Sequence, residues 1–372
     1  TNTGENLLDP GKTPDQNIQF LVFLMAVIKA VDEYADLMRV SAASAGNDHR
    51  LGGNEAPPAI VSIFLGDELT AVLKSIEEDT YFDEHQSVQL ETGAHVLPHF
   101  MKDNTDRNRT SPLAFTGNKF EFRRLGSSAS VATPNIILNT AVAEALSQFS
   151  KELEGTAPED MEHAVHELIK RAIKKHKKVI FNGNGYTEEW VEEAKKRGLY
   201  NLESTPDCLP QFISDKNVEL FTKHHIFTKE EIFSRYEILL ENYVKTIGIE
   251  AKTMKEMLTK DFLPAVSSYA ASVSDNALAM KALAPSVPTA SAESLVSSLG
   301  DAYEKISSAL SALDEEIQEI DKKGSMQESA DYCHKTVLAT MDELRAAADE
   351  AEAKIPDEEL PYPTYDALLF SV

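Results

Sequence analysis

Cysteine, positive charge and long apolar runs are all scarce in this chain. Only Cys208 and Cys333 are present among 372 residues. That is too few for a disulfide framework and favours a reducing compartment, with the cytoplasm as the default. Thirty-six basic residues face 61 acidic ones, for a net charge of -25. Such a balance argues against nucleic acid or an anionic membrane as a general partner. The most apolar run, Ile18 to Ile28, is broken by Gln19 and closed by Lys29. It falls short of the roughly 20 apolar residues that span a bilayer and reads as a buried helix. The polar, acidic first residues lack the basic start of a signal peptide, and no fixed-period repeat suggests a solenoid.

The length allows two domains with at least one sizeable core. Thr13-Pro14-Asp15-Gln16 combines a capping hydroxyl, a first-turn proline and a Gln three residues after the cap, so a helix is expected from there to about Arg39. Its apolar residues go nearly all the way round, as in a helix sandwiched between other elements. Residues 42–54 read as a loop, Ala59 to Leu65 as a strand ended by Gly66, and Glu68 to Glu77 as a helix. After an irregular stretch from Thr80 to Arg109 come a second strand and a helix from Ile137 to about Leu153. Beyond Gly155 strand signals nearly vanish, and amphipathic helices follow to about Ala353. Thr228 with Glu231, and Ser325 with Glu328, have capping-box spacing. Gly198, Gly300 and Gly324 are expected to punctuate helices, and Ala284 to Ala290 to separate two long ones. The expected fold class is α+β: a sheet-and-helix part over residues 1–154, a helical domain over 155–355 and a tail over 356–372. That tail ends in Leu368-Leu369-Phe370, apolar enough to dock on a surface.

The chemistry concentrates between Asp106 and Arg124. Asn118 to Arg123 alternates polar and apolar residues, so Lys119, Glu121 and Arg123 are expected on one strand face, with Phe120 and Phe122 as strand core. A carboxylate between two cations offers a hard oxygen ligand flanked by anion-binding groups, which suits a metal-bound polyphosphate beside a carboxylate substrate. An ordinary exposed strand with interleaved charges has the same spacing. Upstream, residues 49–58 join Arg50, a Gly-Gly pair, Glu55 and two prolines. A mobile flap could be built this way, with Glu55 at its tip taking a proton, and so could a surface turn. Arg109 with Thr110 and Ser111 could hold a phosphate.

Other constellations carry less. Asn182 to Gly185 lacks the spacing of a nucleotide loop and reads as a turn before a helix starting near Thr187. The basic run from Lys170 to Lys178 reads as a solvated helix face, or one meeting acidic surface on a neighbouring subunit. His95 and His99 have helical ligand spacing, but Pro98 argues against a helix there. His224 and His225 are adjacent and would diverge on a helix.

Taken in order, HRLGGNEAP at 49–57, NRTSP at 108–112, NKFEFR at 118–123 with the following Pro134-Asn135, and LPYPTYDALLF at 360–370 resemble glutamine synthetase. The resemblance is to the large type III class, to the later part of the catalytic domain and the extended helical C-terminal region. It implies ATP-dependent ligation of ammonia to glutamate through a γ-glutamyl phosphate, with ATP and Mg²⁺ or Mn²⁺, in a ring-shaped homo-oligomer, a dodecamer by resemblance. By the same resemblance Arg50 and Arg123 bind glutamate, Glu55 closes the flap and helps deprotonate ammonium, Arg109 assists phosphoryl transfer, Lys119 lies near the nucleotide and Glu121 binds metal. Two departures stand out. Lys119 replaces the usual Arg and loses its bidentate fork, and Ala114 occupies a position where better-known classes carry a second Arg. The family's Asn-Gly-Ser-Gly-x-His segment and most metal carboxylates lie upstream of this stretch in the family, so the chain is expected to be the C-terminal part of a longer enzyme. Ligation of another amine to glutamate, or a non-catalytic helical interaction protein, are the alternatives.

Overall fold

The computed structural model describes residues 1–52, 55–80 and 110–370. Arg109, the histidines at 95 and 99, and flap residues Gly53 and Asn54 lie outside the described residues. The chain divides into two compact units, Thr1–Tyr236 and Glu237–Val372.

The first unit is built around α1, Ile18–Glu33, whose residues Phe20, Leu24, Met25, Ile28 and Val31 are buried. Burial extends to Lys29, whose ammonium reaches Glu33 at 2.5 Å. The sandwiched helix expected from the all-round apolar pattern is thus present, but it starts later than Pro14. Asn17 caps it by accepting from the Phe20 amide at 3.0 Å, so an Asn close to the apolar run prevails over the earlier Thr-Pro signal. The helix also breaks at Tyr34, and α2, Ala35–Val40, completes the expected span. Part of the supposed loop forms α3, Ala45–Arg50, because Ser44 caps it through the Asn47 amide.

Among the described residues three short strands form one mixed sheet: β1, Ile63–Phe64; β2, Leu113–Phe115; and β3, Phe120–Phe122. Strand β1 runs parallel to β2, and β2 antiparallel to β3 with Ala114 opposite Glu121. The strand expected over 59–65 is therefore shorter than its apolar run, although Ile60 bridges to Asn201 and Ile63 to Ile180. The β2–β3 hairpin turns at Gly117, where φ is +96°. Positive φ at the first of two turn residues is the reason glycine stands there. Helix α4, Asp67–Glu78, follows β1 as expected.

Helix α5, Ala132–Leu153, begins ahead of Pro134. Proline is tolerated there because first-turn amides have no partner within the helix. Then come α6, Met161–His176; α7, Glu188–Lys196; α8, Thr205–Cys208; and α9, Asp215–Lys223. Helix α6 packs on α1 and α4, and α9 on α5. These contacts make residues 155–236 part of the first compact unit, a partition that differs from one drawn at residue 155 on strand content. Helix α10, Lys229–Met257, opens on a full capping box: the Thr228 amide donates to Glu231 at 2.8 Å and the Glu231 amide to the Thr228 hydroxyl at 3.2 Å.

In the second unit α11, Leu263–Leu283, and α12, Ala290–Ile320, pack together, separated by the expected break. Gly300 lies inside α12 and does not end it. A glycine costs a helix interior about 1 kcal/mol, a penalty that the buried stripe Leu299, Ile306, Leu310 and Leu313 outweighs. Ser325 caps α13, Met326–Tyr332, and α14 is Leu338–Glu352. Two single π turns interrupt these helices: Leu263 N–H donates to the Leu258 carbonyl, and Leu338 N–H to that of Cys333, each five residues back. The tail closes with α15, Tyr365–Phe370, whose Leu369 and Phe370 are exposed, while the Tyr362 hydroxyl donates to the Met257 carbonyl at 3.0 Å. Cys208 and Cys333 are both free and buried. Among the described residues no helix is long and apolar enough to cross a membrane.

Candidate functional site

Alternation along β3 puts Lys119, Glu121 and Arg123 on one face, as a strand with period two requires. Glu121 stands between the two cations, with Lys119 Nζ 3.7 Å from Oε1 and Arg123 Nη2 donating to Oε2 at 3.0 Å. Thr116 adds a weaker contact from its hydroxyl to Oε1 at 3.4 Å. Hydrogen bonding from Arg123, with the charges of Arg123 and Lys119, holds the Glu121 carboxyl below its usual range. Glu121 is 41% exposed at its side chain and Lys119 64%, against 15% for Arg123. The face is therefore open at one end and seated at the other. Behind it, Phe120 is half-buried, with its ring 5.2 Å from that of Phe115. Ala114, opposite Glu121, is fully buried and offers no functional group at the position noted for a missing Arg.

The flap begins where α3 ends. Its backbone closes on itself: the amides of Glu55 and Ala56 donate to the Arg50 carbonyl at 3.3 and 3.0 Å, and that of Gly52 to the Ala56 carbonyl at 3.2 Å. Gly52 takes φ +93° to allow this. Arg50 Nε lies 3.5 Å from Glu55 Oε2, and the Glu55 side chain is 74% exposed. The Arg50 guanidinium also donates to the Arg124 carbonyl at 3.2 Å and to Asn47 Oδ1 at 3.0 Å. Arg50 is thus tied to the backbone one residue beyond Arg123, so two stretches far apart in sequence are joined at the end of β3.

Three residues of this neighbourhood gave no signal in the sequence. Arg124 points away from the charged face, is buried, and donates to the carbonyls of Pro57, at 2.9 Å, and Ile60. Burial, with the charges of Arg39 and Arg50 nearby, pushes its guanidinium down to about 9. Asn47 donates to the carbonyls of Ala42 at 2.6 Å and Arg124 at 2.9 Å. Tyr186 donates its hydroxyl to the Glu55 carbonyl at 3.1 Å. Only the adjacency of Arg124 to a strand with period two could have placed it on the opposite face.

Other candidates prove structural. The Asn182 side chain accepts from the amides of Leu65 and Gly66 and donates to the Thr70 hydroxyl, and Thr187 caps α7, so the 182–187 segment is the expected turn before a helix. The basic run has partners within the chain: Lys170 pairs with Asp79, Lys177 with Glu77 at 2.7 Å, His176 with Asp32 at 2.7 Å and Lys178 with Asp32 at 3.4 Å. His224 and Lys223 both reach Glu144, at 2.7 and 2.6 Å, while His225 turns away in left-handed conformation at φ +54°.

A divalent cation does not fit the described residues alone. Glu121 is one carboxylate with both oxygens already engaged, and no group of three His, Cys, Asp or Glu side chains among the described residues could hold a metal ion. Several carboxylates would be needed.

Residues 164–281 match the glutamine synthetase C-terminal domain. Over its whole length the chain is 50% identical to a glutamine synthetase of Butyrivibrio fibrisolvens, covering 53% of that protein. It is 40% identical to the type-3 glutamine synthetase of Dictyostelium discoideum, covering 51%, and 35% identical to a glutamine synthetase of Bacteroides fragilis, covering 52%. The chain spans about half the length of these curated relatives, and over that span it is a homologue of the glutamine synthetases, the type-3 form among them.

Proposed function

We propose that the full-length protein carrying this chain joins ammonia to glutamate at the expense of ATP, and that this chain supplies one wall of the active site. The observation that carries this reading is that Arg50, beside Glu55, bonds the backbone carbonyl directly after the strand that holds Lys119, Glu121 and Arg123 on one face. In this reading a glutamate γ-carboxylate oxygen attacks the terminal phosphorus of ATP, ADP leaves, and a γ-glutamyl phosphate forms. Ammonia then attacks the acyl carbon, the carbon–oxygen bond to phosphate breaks, and glutamine and phosphate result. Arg50 and Arg123 bind and orient glutamate, their guanidinium forks matching carboxylates. Lys119, and Arg109 from outside the described residues, bind phosphate oxygens, where electrostatic stabilisation contributes most of the acceleration. Glu55, exposed on the flap, takes the proton released from the attacking nitrogen and shields the acyl phosphate from water.

Glu121 offers a single ligand to Mg²⁺ or Mn²⁺, so the remaining carboxylates must come from elsewhere in the full-length protein. A ring-shaped homo-oligomer and a cytoplasmic location accompany the same reading, the latter supported by two buried free cysteines. The test is Glu121→Ala in the full-length protein, with metal affinity and turnover both measured. Loss of metal-dependent glutamine formation together with weakened metal binding is expected; unchanged affinity and rate overturn the assignment.

A further inference from the structure

Residues 182–187 touch the flap at Glu55 and Pro57. The segment is held at both ends: at its start the Asn182 side chain accepts from the amides of Leu65 and Gly66 at 3.0 and 3.2 Å and donates to the Thr70 hydroxyl at 2.8 Å. At its end the Thr187 hydroxyl caps α7 through the Trp190 amide, and the Trp190 ring stacks on Phe181 at 3.7 Å between centroids. Between these anchors the Tyr186 amide donates to Asn184 Oδ1 at 3.0 Å, fixing the turn, and the Tyr186 hydroxyl donates to the Glu55 carbonyl at 3.1 Å. Gly185 packs against two other loops at once. A Cβ there would collide with the Thr110 carbonyl oxygen and lie 3.4 Å from Pro57 Cβ.

Thr110 directly follows Arg109, and Pro57 ends the flap that carries Glu55. One rigid turn therefore meets the flap and the loop after Arg109 together. The described flap is also held at its end by Arg124 on the Pro57 carbonyl and by backbone bonds of Gly52, while Glu55 itself has its amide bond to the Arg50 carbonyl and a 3.5 Å contact from Arg50 to its mostly exposed side chain. A hydroxyl on the carbonyl of Glu55 itself is placed to set where that carboxylate stands.

We infer that Tyr186 is a positioning residue for Glu55, and that the 182–187 turn couples the flap to the loop following Arg109. This rests on the proposed function for its catalytic consequence, while its structural part stands on geometry alone. With Glu55 held in place, ammonia is deprotonated at the acyl carbon and water is kept out. With Tyr186→Phe, the hydroxyl is lost, the flap samples open positions, and water can attack the acyl phosphate, giving glutamate and phosphate in place of glutamine and phosphate.

The experiment compares wild-type full-length protein with Tyr186→Phe and Gly185→Ala. Amide hydrogen exchange is followed over residues 50–57, and the ratio of phosphate released to glutamine formed is measured under saturating ammonia. Tyr186 is 42% exposed, so its phenylalanine variant is expected to fold. The expected result is several-fold faster exchange of the Glu55 and Ala56 amides in both variants, with the phosphate-to-glutamine ratio raised and the KM for ATP unchanged. Unchanged exchange overturns the brace, and faster exchange at an unchanged ratio overturns the positioning role. A wild-type protein that forms no glutamine would instead defeat the proposed function, and the exchange comparison would still decide the brace.

Discussion

Glu121 and Glu144, both in the first unit, each stand between two basic side chains, and they do opposite work. Glu121 sits between Lys119 and Arg123 on an open strand face, with its side chain 41% exposed. Glu144 sits on α5 between Lys223 and His224, with Gln148 donating at 2.7 Å and its own side chain 8% exposed. Burial pushes the Glu144 carboxyl up, but the bonds from Gln148, Lys223 and His224 outweigh it and bring it down to about 2. Every partner of Glu144 is committed, so the cluster ties α9 and the residues after it to α5 and leaves no room for a ligand. Glu121 and Lys119 keep solvent on one side. A charge constellation alone does not make a site; what distinguishes the two is whether the charges can exchange their present partners for a substrate.

The sharpest way to break the comparison is to remove each carboxylate in the full-length protein. Glu121→Ala is expected to lower glutamine formation by more than about 100-fold, the upper end of what losing even an outer partner of a metal ligand costs. Its thermal stability should change by less than about 0.5 kcal/mol, as for most surface substitutions. Glu144→Ala should do the reverse, costing on the order of 2 kcal/mol by chemical denaturation. That is below the range for a fully buried pair, because Lys223 and His224 retain some contact with water. Equal losses of activity and stability in both variants would erase the distinction.

Acid sharpens it further. The Glu144 carboxyl is lower in the folded chain than its ordinary value of 4.5, at about 2. It therefore contributes stability that is fully present above 4.5 and is lost as pH falls through that interval. Denaturation curves between pH 5 and about 2 should show this loss, and Glu144→Gln should flatten it. The smallest expected effect is at Lys119, whose pairing is exposed and long. Lys119→Ala should raise the KM for ATP a few-fold without moving the melting temperature, and an unchanged KM would remove Lys119 from the nucleotide site.

How much of this could be read from sequence follows from the range over which each interaction acts. The Lys119–Glu121–Arg123 face was legible because a strand enforces its own alternation, and the Thr228–Glu231 cap because its partners lie three residues apart. The start of α1 was misplaced by competition between two local caps, which only the apolar surface it packs against can decide. The order of Arg50, Glu55 and Arg123 along the chain is visible, but the tie between their two segments is a bond from Arg50 to a carbonyl 74 residues away. The Glu144 cluster joins residues 79 and 80 positions apart and left no local trace.

The two π turns of the second unit have a consequence for how its helices bear a lost residue. Each holds one residue more than an α turn while the helix continues on both sides, from α10 into α11 and from α13 into α14. A one-residue insertion in a regular helix rotates everything after it by about 100° and turns an apolar stripe out of the core. Confined to a π turn, the surplus residue leaves the flanking stripes in phase. Deleting one residue within Leu258–Phe262 or Cys333–Val337 would therefore restore a plain α turn at that point, whereas a deletion elsewhere in these helices would rotate the apolar stripe that follows.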